Sequence, residues 1–497
     1  MPMALGGLDI GTSGCKCTIM TKEGELLASC YQAYAVSRTA SAHEVDARVI
    51  WEAVRTVIQG ACAKSREPMT ALCATSFGES CVLLDDQGRE LGPILLYTDP
   101  RGQEQCDELI AKLTEEKIYD ICGHRPNPTY FLPKLMWIRQ NRPELYEKIR
   151  YVLPVNAYIV FRLTGEAVAD YSLAARTMML DIRARDWSGE LLETAGVDRK
   201  FLPRVIQTGT AAGRVTRSMA DELGMAPEAL VVIGCHDQVA ASIGAGAMKP
   251  GTAVNGSGTV ECVTPVFDSI PKHQALFDGG YAIVPAFGNL YVTYAYTLTG
   301  GALLQWYRDE FAANAHAEAK AAGKNIYALL DEKVKPDPTG LLLLPHFAGA
   351  ATPYMDMNAK GAICGLSLEN DAADVYQAML EGICYEMRMN LELLEQAGIV
   401  IDSLRATGGG ARSKVWLQIK ADVLGKPIDT LNVDEAGTVG SLMLAGLATG
   451  DYASLEQAFQ LVHPVQRLIP ADNRDRYNPI YDRYRRVYDA MRMIYAD

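Results

Sequence analysis

The chain has 497 residues, is 49% hydrophobic and carries a formal net charge of -13. A chain of that length and apolar content buries a full core and divides into two to four domains. Its acidic balance excludes nucleic acid and anionic membrane surfaces as partners, because either needs a basic face; an anionic ligand must be held locally by amides, a few Lys or Arg, or a metal.

The opening MPMALGGLDIG has neither a basic n-region nor a long apolar h-region, and no window reaches the roughly 18 apolar residues of a membrane span, so a cytoplasmic protein is expected. LGGLDIGTSGCKCTIM predicts a hairpin: a strand ending near Asp9, a tip of Gly11, Thr12, Ser13 and Gly14, and a second strand beginning near Lys16. Helical periodicity follows over 49–62, and apolar runs at 72–74, 81–84 and 152–154 read as strands. ALVVIGCHDQVAASIGAGA, residues 229–247, runs from a strand through Gly234 into a small-residue helix, with Asp237 at the join. Taken alone, that aspartate reads as a helix N-cap. Cys235 and His236, adjacent and without further ligands, do not make a metal site. GAGAMKPG, around residues 245–250, reads as a linker or as a helix end followed by a turn.

GTAVNGSGTVECVTP then repeats the hairpin plan, with a strand through Val254, a tip of Gly256, Ser257, Gly258 and Thr259, and a strand through Val263. Gly11 and Gly256 stand 245 positions apart, close to half the chain. Strands are expected at 341–344 and 403–406, and helices over 372–397, 414–424 and 479–493. A third glycine cluster, GGGAR, sits between the 403–406 strand and the 414–424 helix. The 12 cysteines lack paired CxxC spacing and read as reduced, buried thiols.

Two similar hairpins half a chain apart predict an α/β protein of two related domains, 1–246 and 247–497, facing each other across a cleft. Each tip could offer amides and hydroxyls to a phosphate chain, although Gly, Ser and Thr also favour ordinary turns. The GGGAR cluster, between a strand and a helix start, could let a flat or anionic ligand lie against backbone; it is neither GxGxxG nor a Walker loop. With two carboxylates at strand ends, these are the parts that phosphoryl transfer needs. Asp9 could hold Mg²⁺ directly or through water, and Asp237 could meet a second substrate. Lys16 reads either as a point charge at the phosphates or as an exposed strand lysine.

One further motif has specific spacing: Gly361, Ile363, Gly365 and Leu366, a seven-residue gap, then Asp374, Val375, Ala378, Met379, Leu380 and Glu381. With it, the chain resembles the FGGY carbohydrate kinases of the actin-like ATPase superfamily along essentially its whole length. The resemblance implies two actin-like (ribonuclease H-like) ATPase domains flanking a deep cleft, sugar in the N-terminal domain, nucleotide in the C-terminal one, ATP and Mg²⁺ as cofactors, and a homodimer. It makes Asp9 the Mg²⁺-associated carboxylate and Gly11, Thr12 and Ser13 the first phosphate loop, with Lys16 where relatives place a basic residue. Asn255, Gly256, Ser257 and Gly258 resemble the second phosphate loop. Gly300, Gly301, Gln305 and Trp306 resemble a helix start beside the nucleotide, and Gly409, Gly410 and Ala411 the adenosine loop. Asp237 becomes the general base and Gln238 a sugar ligand.

The resemblance also assigns sugar contacts to Gly78, Glu79, Tyr97, Asp99 and Arg101, although Asp99 and Arg101 equally read as a surface ion pair. Xylulose kinases typically carry Met-His where this chain has Gly78-Glu79, and glycerol kinases Arg-Glu, so the chain departs from both. GGGARSKVW, TDPR and DYSLAARTMMLDI are closer to the xylulose-kinase and gluconate-kinase branches. A sugar acid would sit badly beside Glu79 and Asp237 unless Arg101 or Lys134 intervened. A neutral ketose or polyol, foremost a pentulose such as xylulose, is therefore the expected substrate. The alternatives are a gluconate or glycerol/erythritol-type kinase and, from another class, a non-catalytic actin-like nucleotide switch.

Overall fold

In the computed structural model of the protein, residues 4–271, 273–433, 435–471 and 474–495 are described. They form two compact units, one of Met1–Met248, Ala282–Val292 and Glu435–Val462, the other of Lys249–Tyr281, Thr293–Asp434 and His463–Asp497. The units are thus not contiguous stretches like the expected 1–246 and 247–497; a segment near the C-terminus returns to the first.

In chain order, the elements that place the site begin with strands β1 (Ala4–Ile10), β2 (Gly14–Thr21) and β3 (Leu26–Ala33), helix α1 (Ala47–Lys64) and strand β4 (Met69–Ser76). Helix α2 (Tyr171–Ala175), strands β5 (Ala211–Arg214) and β6 (Leu230–His236) and helix α3 (Asp237–Gly244) follow. Then come strands β7 (Gly251–Ser257), β8 (Glu261–Phe267) and β9 (Ala295–Thr297) and helices α4 (Gly301–Glu310) and α5 (Ala372–Gln396). The last are strand β10 (Ile401–Thr407), helix α6 (Lys414–Leu424), strand β11 (Ile428–Leu431), helix α7 (Ala436–Thr449) and strand β12 (Pro464–Leu468).

The first unit is built on a mixed sheet of order β5-β6-β4-β1-β2-β3. Its middle pairs, β1 with β4 and β6 with β4, are parallel. Side chains alternate across β1, so Leu8 and Ile10 share one face while Gly7 and Asp9 share the other. Against the first face packs α1, whose buried Ile50, Trp51, Val54, Val57, Ile58 and Ala61 recur at helical spacing and join Cys15, Cys17 and Ile19 in one core. Asp46 starts that helix by accepting the Arg48 N–H. Over the second face lies α7, and Gly7 is what lets it approach: a Cβ there would stand 2.9 Å from the Thr438 carbonyl oxygen.

The sheet of the second unit runs β8-β7-β10-β11-β12, with β9 on the outside of β8. Helices α5 and α6 contribute Met379, Leu380, Ile383, Tyr385, Trp416 and Ile419 to one buried core of this unit. The specific motif at 361–381 serves this packing. Asp374 and Asp371 form a reciprocal capping box at the start of α5. About two turns further on, buried Glu381 accepts from the Thr339 hydroxyl and the Gln377 amide.

The strands expected at 72–74, 81–84, 152–154, 231–233, 341–344 and 403–406 are all present. The second hairpin differs in register, since Gly256 and Ser257 belong to β7 and the turn occupies residues 258–260. The helix expected over 479–493 is two helices, Arg474–Tyr484 and Val487–Tyr495. All twelve cysteines are free thiols. Among the described residues, no helix is long and apolar enough to cross a membrane.

Candidate active site

At the tip of the first hairpin the Gly11 N–H donates to the Gly14 carbonyl, closing a turn over residues 11–13. Asp9 stands in register with Lys16 on β2 and with Thr75 on β4. It lies under the first turn of α7, where a Cβ on Gly437 would be 3.7 Å from Asp9 Oδ2. Burial, reinforced by repulsion from Glu435 and opposed by Lys16, raises the Asp9 pKa to about 6. Lys16 Nζ is 2.5 Å from Glu435 Oε2. Its charge is therefore partly spoken for rather than wholly directed at a ligand. Asp9, Gly11, Ser13, Lys16, Glu435, Gly437 and Thr438 line a pocket of about 530 Å³. Cys15 and Lys16 share this lining, and its carboxylate and hydroxyl oxygens, from Asp9, Glu435, Ser13 and Thr438, suit a hard divalent cation such as Mg²⁺.

The second carboxylate sits where β6 meets α3. The N-cap of α3 is His236, not Asp237; Asp237 is the first helical residue, and its Oδ1 accepts the Gln238 N–H at 2.6 Å. The capping reading of this aspartate is thus replaced by a side chain in the first turn, 34% exposed. Burial, with repulsion from Asp9 next, raises its pKa to about 7, while the Gln238 N–H and Arg176 pull the other way. Nε2 of His236 lies 3.1 Å from Asp237 Oδ1. Burial, with the nearby Arg176 charge, keeps that imidazole neutral. The backbone before Asp237 is pinned by a buried chain of hydrogen bonds, in which the His236 N–H donates to Ser172 Oγ and that hydroxyl donates to Asp170.

Gly78 and Glu79, just past β4, reach the same place. A Cβ on Gly78 would stand 3.1 Å from the His236 ring and 3.4 Å from Arg176 Cβ. Buried Glu79, at φ 60, forms an ion pair with Arg176, which follows α2. The Arg176 guanidinium lies over the Tyr130 ring, which stacks on His124 at 4.6 Å. Gln238 is exposed next to Asp237.

Asp99 and Arg101 do not join this group. Each Asp99 oxygen accepts two hydrogen bonds, from the His43 and Arg101 amides and from the Arg101 guanidinium. A carboxylate so saturated has no lone pair left for a sugar hydroxyl. Arg101 is divided between Asp99 and Glu44 and lies over Trp137. The ion pair that the sequence offered as the alternative reading is present, but it is largely buried rather than at the surface. Lys134 is likewise engaged, donating to the Pro128 and Thr129 carbonyls. Tyr97 is half-buried.

In the second unit three glycine segments converge. The Gly301 N–H donates to the Gly258 carbonyl, and a Cβ on Gly408, at φ 81, would stand 2.6 Å from the Ser257 carbonyl oxygen. A Cβ on Gly410 would stand 2.5 Å from Ser257 Cβ, so only glycine fits there. Gly258 and Gly409 are exposed with open space around them. Ala411 follows in the same short turn, partly buried, and Gln305 is exposed on α4. The Ser257 hydroxyl points inward, contrary to its reading as a phosphate ligand. It donates to Glu261 and accepts from Lys420 at 2.5 Å, with Asn255 in the same buried cluster. What this loop presents outward is backbone, from Gly256 to Gly258.

Sequence reasoning missed Arg176, Glu435, Gly437 and Lys420. Arg176 had a signal, a lone cation in the apolar run AARTMML, which needs a partner if buried. Lys420 had one too, lying within the amphipathic pattern of 414–424 next to buried positions. Glu435 and Gly437 carried none.

The model of the N-terminal domain of the FGGY family of carbohydrate kinases matches residues 4–244, and that of its C-terminal domain matches 258–449. The xylulose kinase of Lactococcus lactis subsp. lactis is 27% identical over 485 residues, which cover 96% of this chain and 94% of that one. The gluconokinase of Bacillus subtilis is 27% identical over 482 residues, covering 94% and 92%. The crystal structure of a xyloylose kinase from Brucella ovis superposes with a TM-score of 0.87 at 28% identity, over 99% of this chain and 100% of that one. That of xylulose kinase from Rhodospirillum rubrum gives 0.91 at 24% identity, over 99% and 100%, and shares the fold. These likenesses place both units in the actin-like ATPase fold. The chain belongs to the FGGY family of carbohydrate kinases and is an enzyme that transfers a phosphoryl group to a carbohydrate hydroxyl.

Proposed function

We propose that this kinase uses ATP to phosphorylate a hydroxyl of a neutral ketose or polyol, a pentulose such as xylulose, with Asp237 as general base. The observation that carries the reading is Asp237 itself: a carboxylate at a strand-helix junction, its pKa raised to about 7 by burial and by Asp9. A base so tuned is half ionised near neutrality and strong enough to take a proton as the new bond forms. The acceptor oxygen gives that proton to Asp237, forms its bond to the γ-phosphorus, and the bond from that phosphorus to the β,γ-bridging oxygen breaks to release ADP. Gly78, Glu79, Arg176 and Gln238 hold the sugar. Gly11, Thr12, Ser13 and Lys16 contact the phosphates, as do the backbones of Gly256 and Gly258, and Gly301, Gln305, Gly409, Gly410 and Ala411 contact the nucleoside. Asp9 would hold Mg²⁺, which supplies neutralisation of phosphate charge when bound. The switch alternative gives way to the family membership.

The names of several relatives support xylulose, and those of others support gluconate. Purified protein given Mg·ATP with a panel of ketoses, polyols and aldonates, ADP release being followed, tests the reading. A pentulose is expected to give the highest kcat/KM. ADP release that no sugar accelerates, or full activity in Asp237→Asn, overturns it.

A further inference from the structure

The arginine beside the proposed base is not free to serve as a carboxylate receptor, because it already holds one. We propose that the Glu79–Arg176 ion pair is a charge filter in the acceptor site, selecting uncharged polyols against sugar acids, and that Glu79 sets the choice. This rests on the assignment of Asp237 as base and names the substrate class that goes with it.

The placement of Glu79 argues for a specific task. Its φ of 60 is a left-handed conformation that a residue with a Cβ rarely adopts, and it is buried, so the surroundings hold its side chain against Arg176 despite the strain. The guanidinium is fixed from a second side by the face of Tyr130, 5.4 Å from the ring centroid. Arg176 is also close enough to Asp237 and His236 to act on the protonation of both. Gly78 leaves the ground between the His236 ring and Arg176 without a side chain of its own.

The charges then decide. Arg176 faces Glu79 and Asp237, while burial keeps His236 and His124 neutral. Arg101 and Lys134, the cations that the sequence offered to a sugar acid, are occupied, Arg101 by Asp99 and Glu44 and Lys134 by two carbonyls. An uncharged polyol satisfies the pair, since its hydroxyls donate to Glu79 and accept from Arg176. A carboxylate in the same place has no proton to give Glu79 and can take the Arg176 fork only by displacing Glu79, which would leave a buried anion unpaired.

The test compares xylitol with xylonate, matched in chain length and differing in the carboxylate, by calorimetric titration into the wild-type protein. Xylitol is expected to bind at least about tenfold more tightly; equal or reversed affinities overturn the filter. This comparison needs no turnover, so it decides the filter even where no sugar accelerates ADP release, the result that would strike the kinase reading instead. In Glu79→Gln, the ratio of kcat/KM for xylulose to that for gluconate is expected to fall by about tenfold or more, as Arg176 becomes available. A ratio unchanged in a folded variant overturns the role of Glu79; should the variant not fold, the wild-type titration alone decides.

Discussion

Gly244 of α3 and Gly440 of α7 lie face to face: a Cβ on Gly244 would stand 2.7 Å from the Gly440 amide nitrogen, and one on Gly440 would stand 3.0 Å from that of Gly244. The two helices meet backbone to backbone. Because α3 begins at Asp237 and the first turn of α7 covers Asp9, this contact sets both carboxylates at once. Gly440→Ala is expected to push the helices apart, cost about 1–3 kcal/mol of stability and lower kcat with little change in KM for ATP. Denaturant melts and steady-state kinetics check it; an unchanged kcat at lowered stability would confine the contact to packing.

Asp237→Asn keeps the shape and removes the base, so kcat is expected to fall by about 10²–10⁴. In the wild type the ionised carboxylate is the active form and its pKa is raised to about 7, so kcat/KM for the sugar should rise with pH through that value and decay as pH falls below it. An unshifted aspartate would keep the rate level down to about pH 4. The same shift makes a thermal prediction. A carboxyl whose pKa is raised on folding favours the fold below its unfolded value and loses that support as pH climbs through the folded one. Asp237→Asn should therefore raise Tm more at pH 8 than at pH 5.

Lys420 lies within 2.5 Å of both Glu261 Oε1 and Ser257 Oγ and 3.9 Å from the Trp416 ring centroid, all of it buried. Lys420→Met leaves Glu261 as an uncompensated interior charge, with an expected loss of about 3–5 kcal/mol. The double variant Lys420→Met with Glu261→Gln should recover most of it. Urea denaturation of the three proteins measures the difference, and a single variant as stable as the wild type would refute the pairing as a structural tie.

Gly410→Ala places a methyl against Ser257 Cβ and the Trp416 ring. It is expected to displace the turn at residues 409–412 and raise KM for ATP by about tenfold, leaving KM for the sugar near its original value. Equal effects on both would show that the loop does not serve the nucleotide.

Much of this was legible from pattern. Strand alternation and glycine-hydroxyl tips located both hairpins, and an apolar run ending at Asp237 located α3. What escaped had physical causes. Ser257 is two residues from Asn255 on one strand, hence on the same face as a buried amide, and that period of two, more than its place in a Gly-rich string, fixes where its hydroxyl goes. For Asp99 the ion pair with Arg101 was legible, but half of its hydrogen bonds come from the His43 and Arg101 backbone amides, which no residue-type pattern displays. Glu435 pairs with Lys16 across 419 positions, a separation over which local periodicity carries no information.

That last separation bears on how the protein comes to exist. Emerging from the ribosome, the first 248 residues can raise their sheet, but the face carrying Gly7, Asp9 and Thr75 stays bare until α7 has been translated. Nearly the entire polypeptide must therefore be made before the proposed metal-holding carboxylate gains its cover, and a nascent chain cut short ahead of Ala436 would leave that face of the sheet open to solvent instead of yielding a half-active enzyme.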